Sequence, residues 1–167
     1  DVLRDCIRPG SLDSAIDELV AVIGHEAETS RSLLGDLPLT LVENRNYAEG
    51  QMTSVHRGLQ ALTRPCDGVM VCLADQPLIT PRDLDTLIRA FLDDCPRSVL
   101  VPTYEGRRGN PTILACRHRE AILAGNRRLG CRRLIQNNPE LVWPRPMDSD
   151  HCVFDLDTPD DYDRLCV

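Results

Sequence analysis

Three aspartates stand where a carboxylate could hold a metal ion. Asp75 follows the unbroken apolar run Val69–Ala74, and Asp155 and Asp157 lie two residues apart near the C-terminal end. In an extended segment such residues point to the same side. Carboxylate oxygens suit Mg²⁺, which needs only one or two of them beside waters and substrate phosphates. The pattern therefore predicts a magnesium site; the alternative is that some of these acids merely favour a helix N-terminus through its dipole.

The elements around these acids follow one pattern twice: a strand, an acid, a capping threonine, a proline and a helix. The apolar run before Asp75 predicts a strand buried on both faces of a parallel sheet. Threonine–proline pairs at 80–81 and 158–159 predict helix starts. The segment 153–157 is predicted to be extended. Because open α/β sheets bind ligands at the carboxyl ends of their strands, we expect both acidic segments to meet at one sheet edge.

Arginine pairs fall in one part of the chain, and an anionic substrate could use them. Guanidinium groups bind phosphate oxygens through two parallel hydrogen bonds, whereas the alternative is a solvated charged face. Arg108 is the better candidate for a ligand contact, because the glycines of its loop allow the backbone to approach a ligand closely. The pairs are Arg107 and Arg108, Arg127 and Arg128, and Arg132 and Arg133.

Strand-like runs alternate with helical patterns along the 167 residues. Strands are predicted near 18–24, 37–42, 69–74, 98–102, 112–114 and 141–143, and helices near 27–35, after Gly50, and near 81–92, 117–123 and 129–136. This alternation predicts one domain, residues 1–167, with a three-layer α/β fold and a mainly parallel sheet. Such a domain normally opens with a strand, whereas residues 1–6 look helical, so we expect the first strand to be missing.

Composition excludes several classes of protein. The net charge of −7, from 26 acids against 19 bases, argues against a general nucleic-acid or membrane-surface binder. No apolar run has the length of a membrane span, and no signal peptide opens the chain. The eight cysteines show neither a C-x-x-C pair nor zinc spacing, which is typical of reduced thiols in a cytoplasmic protein.

Several motifs, taken in order, resemble the molybdenum cofactor cytidylyltransferases, within the MobA-like nucleotidyltransferases. The main ones are LADQP at 73–77, GRRGNP at 106–111 and DLDTPDDY at 155–162. Further similarities are VIGHE at 22–26, Asn44 with Gly50, and GCRRL at 130–134. The resemblance runs from about residue 18 to residue 165. It implies a Rossmann-like nucleotide-diphosphosugar-transferase fold.

The resemblance also implies a reaction. An enzyme of this family transfers a nucleoside monophosphate from CTP or GTP to the terminal phosphate of molybdopterin and releases pyrophosphate. Asp75 would bind the catalytic Mg²⁺, and Asp157, with Asp155 behind it, would complete the metal site. Thr53 and Ser54 would lie at the nucleotide base. The loop on the molybdopterin side would comprise Arg108, Gly109, Asn110 and Pro111.

Details of the resemblance bear on the substrates. The Asp-x-Asp-Thr-Pro ending favours CTP over GTP, whereas Asn110 replaces a histidine that is frequent in the cytidylyl branch. The family's opening strand and glycine-rich phosphate loop are not in this sequence, and a chain without them is expected to bind nucleotide poorly. A molybdoenzyme or its maturation factor is a possible partner. The alternatives are a non-catalytic molybdopterin-binding or delivery protein and a sugar-phosphate nucleotidyltransferase.

Overall fold

The computed structural model of the protein describes residues 15–124 and 135–165, which divide into two compact units. We call residues 69–114 and 142–165 the Asp75 unit, and residues 15–68, 115–124 and 135–141 the Asn44 unit. Several predicted features lie outside the described residues. They are the helix at the chain start, most of the helix at 129–136, the GCRRL motif, and the arginine pairs at 127–128 and 132–133.

The described residues contain strands and helices in alternation along much of the chain. The strands are β1 Val20–Ile23, β2 Thr40–Glu43, β3 Gly68–Val71, β4 Val99–Tyr104, β5 Arg107–Arg108, β6 Thr112–Ala115 and β7 Val142–Pro146. The helices are α1 Ala27–Leu34, α2 Gln51–Ala61, α3 Pro81–Arg89, α4 Arg119–Ala124 and α5 Pro159–Leu165. In this part of the chain no helix combines the length and apolar character that a membrane crossing needs.

The Asn44 unit is built on a parallel strand pair. β1 and β2 run in register from Val20 opposite Thr40 to Ile23 opposite Glu43, and α2 packs against both. Ile23 and Leu59 are buried there. A Cβ on Gly58 would lie 3.2 Å from Val22 Cγ2, so the glycine allows α2 to approach β1 closely.

The sheet of the Asp75 unit is mixed rather than mainly parallel. β7 pairs with β4 in parallel, whereas β5 and β6 are antiparallel to β4, and β3 lies beside β6. The reversal follows from the short connection after β4. Glu105 (φ 48°) and Gly106 (φ 79°) are the two residues of the turn, and two positive φ values are typical of a tight hairpin. A parallel neighbour would have needed a long crossover.

The strand before Asp75 is less buried than its apolar sequence predicts. All four residues of β3 are only partly buried, the strand ends at Val71, and Cys72 is exposed. The prediction of burial on both faces is therefore wrong for the described structure. The reason is that β3 ends the strand order of this sheet among the described residues, and an edge strand is flanked by a neighbour on one side only.

The core of the Asp75 unit lies under α3. Leu87 and Leu100 are fully buried, and burying a leucine side chain contributes about 1.5–3 kcal/mol. The predicted apolar stripe of α3 is confirmed at Leu84 and Leu87, but Leu92, which belongs to the same predicted stripe, is 51% exposed. The chain widens into a π-helical turn at Ala90–Asp94, and its longer repeat rotates Leu92 away from the core.

Both predicted helix starts are confirmed as capping arrangements. Thr80 Oγ1 accepts a hydrogen bond from Asp83 N (3.2 Å), and Asp83 Oδ2 accepts one from Thr80 N (2.9 Å). Thr158 and Asp161 repeat this pattern at α5. Burial opposes ionisation of Asp83, but hydrogen bonds from Thr80 and His151 outweigh it and lower the pKa of its carboxyl. The threonine–proline pattern therefore locates both helices correctly.

None of the five cysteines in the described residues forms a disulfide bond. Cys66 Sγ and Cys116 Sγ are 3.0 Å apart, within hydrogen-bonding distance for sulfur. Burial first, and then the hydrogen bond to Cys116, raise the pKa of the Cys66 thiol to about 11. Cys66 therefore stays protonated at neutral pH, as expected of a structural thiol. Cys6, Cys131 and Cys166 lie outside the described residues.

Candidate active site

Asp75 lies in the loop that joins β3 to α3, at the carboxyl end of the strand, as its sequence position predicts. Partial burial first, and then the negative charges of Asp155 and Asp157, raise the pKa of the Asp75 carboxyl, against the lowering effect of a backbone hydrogen bond. The structure thus places Asp155 and Asp157 near enough to Asp75 for their charges to disfavour its ionised form. A bound cation would relieve that repulsion.

The C-terminal acids reach Asp75 on an irregular segment rather than on a strand. Residues 150–153 form a 3₁₀ turn and residues 154–157 lie outside any strand, so the predicted strand does not form, although Phe154 has the extended dihedral angles predicted for it (φ −95°, ψ 114°). The backbone N–H of Leu156 donates to the carbonyl of Asp75 (2.7 Å) instead of to a neighbouring strand. This bond holds Asp155 and Asp157 beside the Asp75 loop.

Gln76, the residue after Asp75, makes the second connection between the two acidic segments. Its Nε2 donates to Asp155 Oδ1 (2.8 Å) and to the carbonyl of Cys152 (3.2 Å). Its side chain is buried, with 4% of the residue exposed. Sequence analysis did not select Gln76 as a site residue; its position beside Asp75 in a polar loop was the available signal.

The arrangement fits a divalent cation held by few protein ligands. In the described part of the chain no three Asp, Glu, His or Cys side chains converge closely enough to form a complete metal site. Mg²⁺ nevertheless keeps several waters and is commonly bound through one or two carboxylates together with substrate phosphates. Asp75, Asp155 and Asp157 supply hard oxygen ligands of that kind. The metal assignment of these three residues stays a prediction.

The loop predicted to face molybdopterin packs on the same C-terminal turn. Gly109 N donates to the carbonyl of Pro102 (2.9 Å), and Asn110 N donates to the carbonyl of Cys152 (2.9 Å). Pro111 is fully buried, whereas Arg108 is exposed. The carbonyl oxygen of Cys152 has two lone pairs and accepts from both Asn110 and Gln76. This one oxygen therefore connects the acidic segments to the Arg108–Pro111 loop.

The predicted nucleotide-base residues Thr53 and Ser54 lie in the Asn44 unit, in the first turns of α2. Asn44 Nδ2 donates to Thr53 Oγ1 (2.8 Å) and to Ser54 Oγ (2.9 Å), and Asn44 Oδ1 accepts from Asn46 N (3.0 Å). The Thr53 hydroxyl also contacts the carbonyls of Asn46 and Gly50. Asn44 was part of the resemblance but not a predicted site residue, and it organises this loop.

A polar cavity of about 500 Å³ opens beside this loop, between the end of β2 and one face of α2. It contains two guanidinium groups, and Arg45 Nε pairs with Glu43 Oε1 at 3.1 Å. Ser54 does not line it. The lining residues are Glu43, Asn44, Arg45, Asn46, Thr53, His56, Arg57 and Gln60.

Replacing Asn44 with alanine should destabilise the protein by about 2–3 kcal/mol, since the buried amide makes three side-chain hydrogen bonds that each contribute about 1 kcal/mol. The measurement is the free energy of unfolding in urea. Asn46→Ala is the matched control, because Asn46 is exposed and contributes backbone groups to the network; it should change the free energy by less than about 0.5 kcal/mol. Equal losses in both variants would contradict the organising role of Asn44.

The sequence of the chain is similar to that of a curated protein. A curated relative from Chloroflexus aggregans, named "Probable molybdenum cofactor guanylyltransferase", is 32% identical over 139 residues, which are 75% of this chain and 64% of the relative. The chain thus spans somewhat less than two thirds of that relative's length. The name of this relative includes guanylyl transfer, whereas the sequence motifs favoured a cytidylyl enzyme.

Solved structures share the fold. Rv0371c from Mycobacterium tuberculosis, crystallised as a complex with manganese, has a TM-score of 0.73 and 22% identity over 99% of this chain and 82% of its own. A nucleotidyl transferase from Methanothermobacter thermautotroptrophicus has a TM-score of 0.75 and 16% identity over 98% of this chain and 76% of its own. These likenesses confirm the predicted Rossmann-like nucleotidyltransferase fold.

Residues 10–142 match the sequence pattern of a protein family described as "MobA-like NTP transferase domain". The match includes β1 to β6, the Asp75 loop and the Arg108–Pro111 loop, which is well over half of the chain. The predicted resemblance is therefore confirmed, and the chain belongs to the MobA-like NTP transferase domain family.

Proposed function

We propose that the protein is a nucleotidyltransferase of molybdenum cofactor biosynthesis, which transfers CMP from CTP to the terminal phosphate of molybdopterin and releases pyrophosphate. The observation that carries this proposal is the hydrogen-bonded junction at Cys152, where the acidic segments and the Arg108–Pro111 loop meet. Family membership and the name of the Chloroflexus relative support it. The product is then expected to pass to a molybdoenzyme or its maturation factor.

The acidic residues have the role of holding a divalent cation. Asp75 and Asp157 would bind it directly, and Asp155 would support them. When bound, the cation supplies charge neutralisation at the phosphates of the nucleotide. We propose Mg²⁺, because the carboxylate oxygens of Asp75 and Asp157 are hard ligands; the manganese complex of Rv0371c supports a divalent ion at this fold.

The reaction needs no side-chain nucleophile. A phosphate oxygen of molybdopterin attacks the α-phosphorus of the nucleotide, and the bond from that phosphorus to the bridging oxygen of pyrophosphate breaks. The Arg108 guanidinium can bind the attacking phosphate through two parallel hydrogen bonds. The backbone of Gly109, Asn110 and Pro111 is fixed by its own hydrogen bonds and burial. The protein thus acts chiefly by positioning two anionic reactants.

Thr53 and Ser54 are proposed to contact the base of the nucleotide. Two observations favour different bases. The Asp155–Pro159 ending resembles the cytidylyl branch, and we therefore propose CTP. The name of the Chloroflexus relative favours GTP instead. An enzyme discriminates between two nucleotides by how well it binds their transition states. The ratio of its kcat/KM values for CTP and GTP therefore decides which base it prefers.

The test is an assay of pyrophosphate release by the purified protein, with molybdopterin, Mg²⁺ and either CTP or GTP. We expect release that requires both molybdopterin and Mg²⁺ and is about 10²-fold faster with CTP. Faster release with GTP would mean that the protein catalyses the proposed reaction with GTP in place of CTP. Binding of molybdopterin without release from either nucleotide would favour the non-catalytic binding protein. Release that requires a sugar phosphate in place of molybdopterin would favour the sugar-phosphate nucleotidyltransferase.

A further inference from the structure

Gln76 is buried although it directly follows the exposed Asp75. Its Nε2 lies 2.8 Å from Asp155 Oδ1 and 3.2 Å from the carbonyl oxygen of Cys152. Both partners are acceptors, so the amide must present its NH₂ group to them and its orientation is fixed by chemistry. The bond to the Asp155 carboxylate is charge-assisted and therefore stronger than a bond between neutral groups.

The other end of the amide shows that packing alone does not explain this residue. Gln76 Oε1 is buried and has no hydrogen-bond partner in the described part of the chain. A buried acceptor without a partner costs free energy, and a leucine of similar volume would avoid that cost. The contribution of the glutamine must therefore come from its two donated bonds.

The two side-chain bonds of Gln76 act together with a backbone bond between the same two segments. Leu156 N donates to the carbonyl of Asp75 at 2.7 Å, so residues 75 and 76 are bonded to residues 156 and 155 respectively. The like charges of Asp75, Asp155 and Asp157 would otherwise drive the two segments apart. The paired bonds hold the carboxylates together before any cation arrives.

We infer that Gln76 is a positioning residue for the divalent-cation site: it acts through Asp155, whose carboxylate it orients towards Asp75. The inference rests on the proposed function, because it requires that the acidic cluster bind a cation. Asp155 in turn supports the proposed ligands Asp75 and Asp157, and outer-shell partners of a metal site typically contribute a factor of about 10–100 to metal affinity.

The test measures the affinity of the protein for Mn²⁺ alone, by electron paramagnetic resonance of the free ion. Gln76→Leu should bind Mn²⁺ about 10-fold more weakly than the wild type. Gln136→Leu is the control, since Gln136 is exposed and lies in the Asn44 unit, and its affinity should be unchanged. Urea unfolding and circular dichroism of each variant establish that affinities are compared between folded proteins.

A double-mutant cycle separates positioning from general stability. If Gln76 acts through Asp155, adding Gln76→Leu to Asp155→Asn should weaken Mn²⁺ binding by less than about twofold beyond Asp155→Asn alone. Independent effects that multiply to the full 10-fold loss would overturn the inference. So would an unchanged affinity of Gln76→Leu, while leaving the proposed cation site intact. A wild-type protein that binds no Mn²⁺ would overturn the cation site and the role of Gln76 together.

Discussion

Replacing Asp75 with asparagine should abolish nucleotidyl transfer while the protein remains folded. We expect a loss of about 10³-fold in turnover, which is the scale for removing one fixed charge from a transition-state site. Affinity for Mn²⁺ should fall in parallel. The reason is that the backbone bond from Leu156 to Asp75 holds the Asp75 loop beside Asp155 and Asp157, where a cation would bind. Pyrophosphate release and Mn²⁺ titration measure the two effects.

The same substitution should not lower stability at neutral pH. Burial and the two neighbouring acids raise the pKa of Asp75 above its value in the unfolded chain. An acid with a raised pKa is less favourable in its ionised form when folded, so at pH values above that pKa the charge destabilises the native state. Removing the charge should leave the urea midpoint unchanged or higher at pH 7, and the gain should disappear in acid.

Asp160→Asn is the matched control for Asp75→Asn. Asp160 is an exposed acid in the first turn of α5, and its expected contribution is to the helix dipole, about 0.3–1 kcal/mol. Its turnover and Mn²⁺ affinity should stay at the wild-type level. If Asp75→Asn retained turnover, or if Asp160→Asn lost as much, the assignment of Asp75 to the cation would be wrong.

Local interactions explain which parts of the fold were predictable. Thr80 and Asp83, like Thr158 and Asp161, are three residues apart, so the sequence contains both partners of each cap. The position of Asp75 after a strand follows equally from a short pattern. Burial of β3 does not, because it depends on the neighbours that the strand receives in the sheet.

Long-range contacts explain the rest of the site. Gln76 and Asp155 are 79 positions apart, and neither residue type requires the other. The segment 154–157 has an alternating pattern typical of a strand, but Leu156 donates its backbone hydrogen bond to a loop, so no strand forms. The carbonyl of Cys152 is invisible to sequence reasoning, because every residue has a carbonyl. Sequence patterns therefore located the carboxylates, and only the structure showed what holds them.

Gly109→Ala should be the most destabilising substitution in the Arg108–Pro111 loop. A Cβ on Gly109 would lie 2.0 Å from the carbonyl oxygen and 2.6 Å from the carbonyl carbon of Cys152. These are backbone atoms, so the loop or the 150–153 turn must move. We expect a loss of about 3 kcal/mol in the free energy of unfolding, from overpacking together with the weakened bonds that the Cys152 carbonyl accepts from Asn110 and Gln76.

Gly106→Ala distinguishes close packing from backbone strain. Gly106 has φ +79° and open space where a Cβ would lie, so alanine there should cost only about 1 kcal/mol, from the left-handed conformation. Urea unfolding compares the two variants. If Gly109→Ala unfolded no more easily than Gly106→Ala, the contact with Cys152 would not hold the loop.

The two glycine variants should also differ in function. Displacing the Cys152 carbonyl removes the acceptor shared by Asn110 and Gln76, so Gly109→Ala should weaken Mn²⁺ binding as well as molybdopterin binding. Gly106→Ala should retain both binding activities. Gly106 lies in the turn before β5, whereas Gly109, which is next to the Cys152 carbonyl, follows β5. Titration of each folded variant with Mn²⁺ and with molybdopterin is the measurement. Loss of molybdopterin binding with normal Mn²⁺ affinity would mean that the loop and the carboxylates are positioned independently, contrary to the shared role of Cys152.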